Sequence, residues 1–196
     1  MNIVACTDLH ADLKYFSSVL FLVKSSNADI VVCCGDFTVC ERNIIELLSR
    51  FDKFPVPVFL VHGNHESEAV VKDLCSGLKN VKFLHKNILN FNGVYFVGWG
   101  GGGFSRRDKN FEVWWKSKEK SIKSPIVLVT HAPPLGTCLD EISGSHVGCE
   151  SFTEFILRKI PVVVFSGHIE ENDGKSCVFG SSRIVNPGAK GFFMKV

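Results

Sequence analysis

Residues 58–66 read Val-Phe-Leu-Val-His-Gly-Asn-His-Glu, and no other part of the chain says more about the fold. Four apolar residues preceded by prolines and soon followed by Gly63 predict a short, buried strand. Asn64 and His65 then lie just past the carboxyl end of this strand, where open α/β sheets bind their ligands. On its own, Gly-Asn-His is a weak signal, because residues of these types commonly end a strand in a turn.

Apolar runs of the same kind recur along the chain, and segments with helical spacing separate them. The pattern predicts strands at residues 3–6, 30–34, 58–61, 94–97, 126–129 and 162–165, and short antiparallel strands at 177–179, 183–185 and 192–195. It predicts helices at residues 13–24, 44–48, 69–74, 111–115 and 152–160. Alternation of strand and helix is typical of a parallel sheet with right-handed crossovers.

The composition fits a single folded domain that spans residues 1–196. Hydrophobic residues make up 45% of the chain, as in globular rather than disordered proteins. The net charge of +2 and the pI near 8.1 fall short of the strongly basic balance that favours nucleic acid as a partner.

The sequence also bears on the compartment. It has no basic segment followed by an apolar stretch at its start, and no apolar run approaches the ~20 residues of a membrane helix. We therefore expect a cytoplasmic protein with no membrane partner. The eight cysteines include no Cys-x-x-Cys pattern, so we expect reduced, buried thiols rather than a disulfide framework.

Five of the predicted strands end in side chains that can bind metal ions. Each residue alone is more typical of a turn or of a satisfied polar group. Together they indicate a common site, because the carboxyl ends of parallel strands meet at one edge of a sheet. Carboxylates and imidazoles that converge there stay unpaired or repel unless cations join them. The residues are Asp8, His10, Asp36, Asn64, His65, His131 and His168.

In this order, the residues resemble the calcineurin-like metallophosphoesterases. That family carries Asp-x-His, Gly-Asp, Gly-Asn-His followed by Glu or Asp, a lone His, and Gly-His-x-His. The matching residues here are Asp8-Leu9-His10, Gly35-Asp36, Gly63-Asn64-His65-Glu66, His131 and Gly167-His168, with a trailing Asn186-Pro187-Gly188. The resemblance covers nearly the whole chain and rests on an ordered set of motifs.

The resemblance implies an α/β (α+β) fold in which two mixed β-sheets pack as a sandwich flanked by helices. It implies two divalent ions, with Mn²⁺ favoured and Fe, Zn, Ni or Mg as alternatives, and a hydroxide between them that attacks phosphorus. By the match, Asn64 and His65 are the catalytic residues, and His65 acts on the leaving oxygen. The implied ligands are Asp8 and His10 for the first ion, Asp36 for both, and Asn64, His131 and His168 for the second.

One position departs from the family pattern. Glu170 stands where the family has the second histidine of its last motif, which would bind the first ion. We interpret Glu170 as a substitute metal ligand, because carboxylate and imidazole both coordinate divalent ions. The alternative is a weakened first site.

Three further residues are candidates for substrate binding. Arg106 and Arg107 follow a glycine-rich stretch and could hold a phosphate, although a plain surface loop is an equal interpretation. His146 lies in the long segment after His131, where the family shapes its substrate mouth; a surface histidine is the equal alternative.

An aromatic and lysine-rich stretch completes the sequence evidence. Phe111, Trp114 and Trp115 lie at helical spacing, which predicts a helix packed on the core with a solvated lysine face rather than a platform for nucleic acid. The lysines are Lys116, Lys118, Lys120 and Lys123.

The expected function is that of a metal-dependent phosphoesterase, in particular a phosphodiesterase acting on a small or nucleotide-like phosphoester. The alternative is a catalytically weak or inactive protein-binding scaffold of the same fold. Such scaffolds typically lose the histidine of Gly-Asn-His, whereas His65 is present. A nuclease is disfavoured by the modest charge, and the sequence leaves a homo-oligomer open.

Overall fold

The computed structural model describes residues 1–122 and 125–196, and the predicted helices and strands are present in the predicted order. The helices are α1 (Leu13–Ser25), α2 (Ile44–Asp52), α3 (Glu68–Ser76), α4 (Lys109–Lys118) and α5 (Glu150–Lys159). The strands are β1 (Asn2–Cys6), β2 (Ile30–Cys33), β3 (Val58–Leu60), β4 (Val81–Phe83), β5 (Asn87–Phe91), β6 (Val94–Trp99), β7 (Ile126–Thr130), β8 (Glu141–Ile142), β9 (Ser145–His146), β10 (Val163–Phe165), β11 (Ser176–Phe179), β12 (Ser182–Val185) and β13 (Phe192–Lys195).

Two mixed sheets form the body of the protein. The first has the strand order β13-β1-β2-β3-β4, and the second has the order β11-β12-β10-β7-β6-β5. Successive side chains of a strand point to opposite faces, so Ile3 packs between the sheets while Val4 packs under the helices. Phe59 and Phe96, from different sheets, meet in the central layer with ring centroids 5.2 Å apart. This is the predicted sandwich flanked by helices.

The register of the parallel strands brings their ends together. Cys6 of β1 pairs with Cys33 of β2, which pairs with Leu60 of β3. In the second sheet, β6, β7 and β10 are also parallel neighbours. The segments that follow β1, β2, β3, β7 and β10 carry the predicted site residues.

The helices begin and end as local chemistry dictates. Asp12 caps α1, since its side chain accepts a hydrogen bond from the Lys14 N–H at 2.8 Å. Phe111 and Trp115 of α4 are buried in the second helical layer, as predicted, so α4 is a core-packed helix. Lys123, part of the predicted lysine face, lies outside the described residues.

Two sequence-based expectations need correction. Strands β4, β5, β8 and β9 were not predicted, because their short, partly exposed sequences lack a long apolar run. The prediction that all cysteines are reduced is wrong for two of them, since Cys138 and Cys177 form a disulfide. They lie 39 residues apart and meet only through the fold.

Within the described ranges, none of the helices is long and apolar enough to span a membrane.

Candidate metal centre

The loops behind the parallel strands are tied together by backbone hydrogen bonds. The Asp8 N–H donates to the Gly35 carbonyl at 3.0 Å, and the Gly167 N–H donates to the His131 carbonyl at 2.9 Å. Asp8, His10, Asp36 and His168 all adopt positive φ angles, of 53°, 45°, 49° and 74°. Non-glycine residues in this region are strained, and such strain concentrates at functional sites. The seven residues predicted at the strand ends lie in these loops, but they come from two sheets rather than from one edge of a single sheet. Five follow strands of the first sheet, and His131 and His168 follow β7 and β10 of the second.

Asp36 and His131 lie at its centre, and both are buried. The Nε2 atom of His131 is 3.4 Å from Asp36 Oδ2 and 2.9 Å from the Oδ1 atom of Asn64. Burial alone opposes the charged forms, but the contact between the two side chains outweighs it, so the pKa of Asp36 is lowered and that of His131 is raised.

The other ring nitrogen of His131 sets its tautomer. Nδ1 lies 2.9 Å from the Cys34 carbonyl and donates its proton there. In the neutral ring, the lone pair of Nε2 therefore faces the lone pairs of Asp36 and Asn64. Facing acceptors are unfavourable unless a proton or a metal ion lies between them, and metal-binding histidines commonly donate their other N–H to a carbonyl in this way.

His168 completes this part of the site. Its ring centroid is 5.1 Å from that of His131. Its Nε2 atom is buried and has no hydrogen-bond partner among the described residues. Burial lowers the pKa of His168 to about 4, which keeps the imidazole neutral and able to coordinate an ion. The backbone N–H of His168 donates to Asp8 Oδ2 at 3.0 Å. Burial raises the pKa of this Asp8 carboxyl group. An unpartnered ring nitrogen beside carboxylates fits a divalent cation.

His10 and Glu170 show the same arrangement as His131 and Asp36, in which a ring nitrogen faces a carboxylate oxygen. His10 Nδ1 donates to the Thr38 carbonyl at 3.3 Å, so the lone pair of Nε2 faces Glu170 Oε1 at 3.2 Å. Glu170 is thus close to the side chain with which it was predicted to share an ion. Its own side chain is 68% exposed, so the mouth of the site is open on this side.

His65 has the opposite arrangement. Its Nδ1 accepts a hydrogen bond from the Cys40 N–H at 3.3 Å, so the neutral ring carries its proton on Nε2. That atom lies 4.0 Å from Asp36 Oδ2, and the backbone N–H of His65 donates to Asp36 Oδ1 at 2.8 Å. His65 therefore presents a donor where His10 and His131 present lone pairs.

The ligand-competent atoms form two groups that share one carboxylate. His10, Asp36 and His65 lie within 4.8 Å of one another, and so do Asp36, His131 and His168. With His65 as a hydrogen-bond donor, His10 and Asp36 remain as possible metal ligands of the first group, and Asp36 still belongs to both groups. Two-metal hydrolases need such a shared carboxylate. It can hold two positive ions close together and bind an anionic phosphoryl group between them.

Glu66 organises the loops beneath these groups, although its role was not predicted. Its buried carboxylate accepts hydrogen bonds from the N–H groups of Gly63 at 2.8 Å, Asp36 at 3.0 Å and Thr38 at 2.8 Å, and from the Thr38 hydroxyl at 2.8 Å. Burial raises the pKa of Glu66, and these donors oppose the rise. The only signal in the sequence is its place directly after Gly-Asn-His.

The three candidates for substrate binding differ in their surroundings. Arg107 forms ion pairs of 2.8, 3.0 and 2.7 Å with three glutamates, so its guanidinium braces α4 against α5 and is not available to a phosphate. Arg106 is exposed in the same loop. His146 is exposed in β9, where Asp140 binds its Nδ1 at 2.8 Å. The sequence places Phe104 in the glycine-rich loop but gives it no role; its ring packs on that of His168 with centroids 4.5 Å apart.

Comparisons with known proteins agree with this fold. The profile of the calcineurin-like phosphoesterase family matches residues 1–171. A structure from Thermus thermophilus superposes with a TM-score of 0.78 at 16% identity, covering 95% of this chain and 88% of that one. A phosphopantetheinyl hydrolase from Mycobacterium tuberculosis gives 0.68 at 14%, with coverage of 95% and 88%. An archaeal phosphodiesterase gives 0.52 at 15%, with coverage of 96% and 84%. No curated protein matches significantly.

Proposed function

Because this chain belongs to the calcineurin-like phosphoesterase family, we propose that it is a metal-dependent phosphodiesterase that hydrolyses a small, nucleotide-like ester. The observation that carries the proposal is that two groups of possible metal ligands share Asp36. One of these groups contains the Nε2 atom of His168, which has no hydrogen-bond partner among the described residues. When bound, two divalent ions would neutralise charge on the phosphoryl oxygens and activate the attacking water. We propose Mn²⁺ as the metal, with Fe, Zn, Ni or Mg as the alternatives.

Contacts between ring nitrogens and oxygens support the proposed ligands except Asp8, which the family pattern supplies. Asp8, His10 and Glu170 would hold the first ion, Asp36 both ions, and Asn64, His131 and His168 the second. His10 and His131 each donate a hydrogen bond from Nδ1 to a backbone carbonyl, which directs Nε2 toward the proposed ion.

His65 is proposed as the acid that serves the leaving oxygen rather than as a ligand. The Cys40 N–H occupies its Nδ1, so Nε2 bears a proton that points toward the space beside Asp36. A positioned donor at this place can protonate a leaving alkoxide or stabilise its charge. Because His65 is only 30% exposed, the surrounding loops hold its ring in place.

The charge of the site favours a diester over a monoester. Three carboxylates, those of Asp8, Asp36 and Glu170, would face the two ions, and the guanidinium of Arg107 is taken up by glutamates. Two divalent ions and three carboxylates together carry a net charge of about +1, which the single negative charge of a diester balances, whereas a monoester dianion leaves an excess negative charge. The open mouth beside Glu170 leaves room for the second ester group.

The test is hydrolysis of an aryl phosphodiester by the purified protein. Added Mn²⁺ should support turnover, and a chelator should abolish it until metal is restored. A panel of mono- and diesters with Mn²⁺, Fe²⁺, Zn²⁺, Ni²⁺ and Mg²⁺ then establishes the preferred ester and ion. If no ion supports cleavage of any ester, the enzyme proposal is wrong and the scaffold alternative is favoured.

Glu170→His should change which metal the protein prefers. Carboxylate oxygens suit Mn²⁺ and Mg²⁺, whereas imidazole suits Zn²⁺ and Ni²⁺. If Glu170 and His10 hold the first ion together, the variant should bind Zn²⁺ better relative to Mn²⁺, as measured by competition between the two ions followed by metal analysis. Glu171→His is the matched control, because Glu171 is an exposed glutamate at the next position. An equal shift in both variants, or none in Glu170→His, would show that Glu170 is not a ligand.

A further inference from the structure

The loop behind β6 consists of four glycines, Gly100 to Gly103, followed by Phe104. Three of the glycines adopt positive φ angles of 69°, 97° and 49° at residues 101, 102 and 103. Glycine supplies no side chain to hold such a conformation and loses much entropy when it is ordered. The loop therefore needs anchors outside itself to keep one position.

Two buried histidines supply the anchors. The Gly101 N–H donates to the His62 carbonyl at 2.8 Å, and the Gly100 N–H donates to His85 Nδ1 at 2.7 Å. The other nitrogen of His85 lies 3.2 Å from Glu68 Oε2. A Cβ atom on Gly100 would come within 2.4 Å of the His62 carbonyl oxygen, so this close approach requires glycine. The first half of the loop is thus clamped to the segment that precedes Gly63.

The second half of the loop lies against the proposed second ion site. A Cβ atom on Gly103 would be 3.8 Å from the Nε2 atom of His168. The Phe104 ring covers the His168 ring with centroids 4.5 Å apart, yet Phe104 is 62% exposed. The structure thus holds a large apolar ring in solvent directly beside a proposed metal ligand.

We propose that Phe104 is a stacking platform for the nucleobase of the phosphoester substrate, an inference that rests on the proposed function. One part of the Phe104 ring lies against the His168 ring. A substrate group that stacks on the exposed part of the Phe104 ring therefore lies next to the phosphoryl group at the proposed ions. That group is then the organic part of the ester. A planar base stacks on an aromatic ring, whereas a sugar or short alkyl group gains less from it.

The inference is tested by binding of two phosphates that differ only in the base. With Mn²⁺ present, the protein should bind AMP about 5- to 150-fold more tightly than ribose 5-phosphate, the range that stacking of one base supplies. Phe104→Ala should remove this preference, Phe104→Trp should keep it, and affinity for ribose 5-phosphate should stay unchanged. Titration calorimetry measures all of these affinities.

Phe21→Ala is the matched control, since Phe21 is 72% exposed on α1 and should leave the preference for AMP intact. Equal affinity for the two phosphates in the unmodified protein, including failure to bind either, would overturn the inference. So would a preference that survives Phe104→Ala. Turnover of an alkyl phosphodiester separates this inference from the proposed function: if the ester is cleaved but AMP is not preferred, only the platform fails. If AMP is preferred in a Phe104-dependent way but no ester is cleaved, only the function fails.

Discussion

Replacing His65 by alanine should lower kcat for phosphodiester hydrolysis by roughly 10²- to 10⁴-fold, the usual contribution of a positioned acid or base. The metal content of the protein should hardly change. The reason is the tautomer: the Cys40 N–H at 3.3 Å occupies Nδ1, which leaves a proton rather than a lone pair on Nε2. Steady-state kinetics and metal analysis on the same preparation measure both quantities.

The leaving group supplies an internal control for this prediction. A diester with a 4-nitrophenyl leaving group needs little protonation, so His65→Ala should impair its hydrolysis much less than that of an alkyl diester. An equal loss with both esters would argue against an acid role. Loss of metal together with rate would show that His65 is a ligand. The metal analysis tests this directly, since a ring nitrogen of His65 lies within 4.8 Å of the ligand atoms of His10 and Asp36.

The predictable part of the site is the part that topology places. Asp36 and Asn64 follow buried parallel strands of the first sheet, whose common register brings their ends to one edge. His131 follows β7 of the second sheet and reaches them because the two sheets pack face to face. The apolar runs made those strands recognisable without any knowledge of contacts. The fold class and the metal-competent strand ends were therefore predictable together, because one pattern encodes both.

The unpredictable part depends on contacts between distant segments. Arg107 looked as suited to a phosphate as Arg106 until the structure brought three glutamates around it. The roles of Cys40 and Glu66 depend on bonds across loops that no local pattern contains. Phe104 was unremarkable in sequence because its significance is its exposure beside His168.

Gly63→Ala should reduce turnover by roughly 10²-fold or more, although alanine adds a single methyl group. The φ angle at Gly63 is not positive, so the backbone itself tolerates alanine. The obstacle is space: a Cβ atom there would lie 1.9 Å from Asp36 Oδ1 and 2.5 Å from the Asp36 nitrogen. Asp36 must therefore move, and a displacement of about 1 Å in a reacting constellation costs on the order of 10²-fold in rate.

The displacement should reach both proposed ions, because Asp36 is the carboxylate that the two donor groups share. Affinity for the first and the second equivalent of Mn²⁺ should fall together, and the free energy of unfolding should drop by about 1–3 kcal/mol from overpacking. Gly77→Ala is the matched control: Gly77 also has a negative φ, of −88°, and its added Cβ would find no atom closer than 3.9 Å. That variant should keep both metal affinity and rate. If Gly63→Ala lost stability but kept metal and turnover, the strand-end loop would yield around Asp36. Asp36 would then keep its present position, and the predicted displacement of its carboxylate would be wrong.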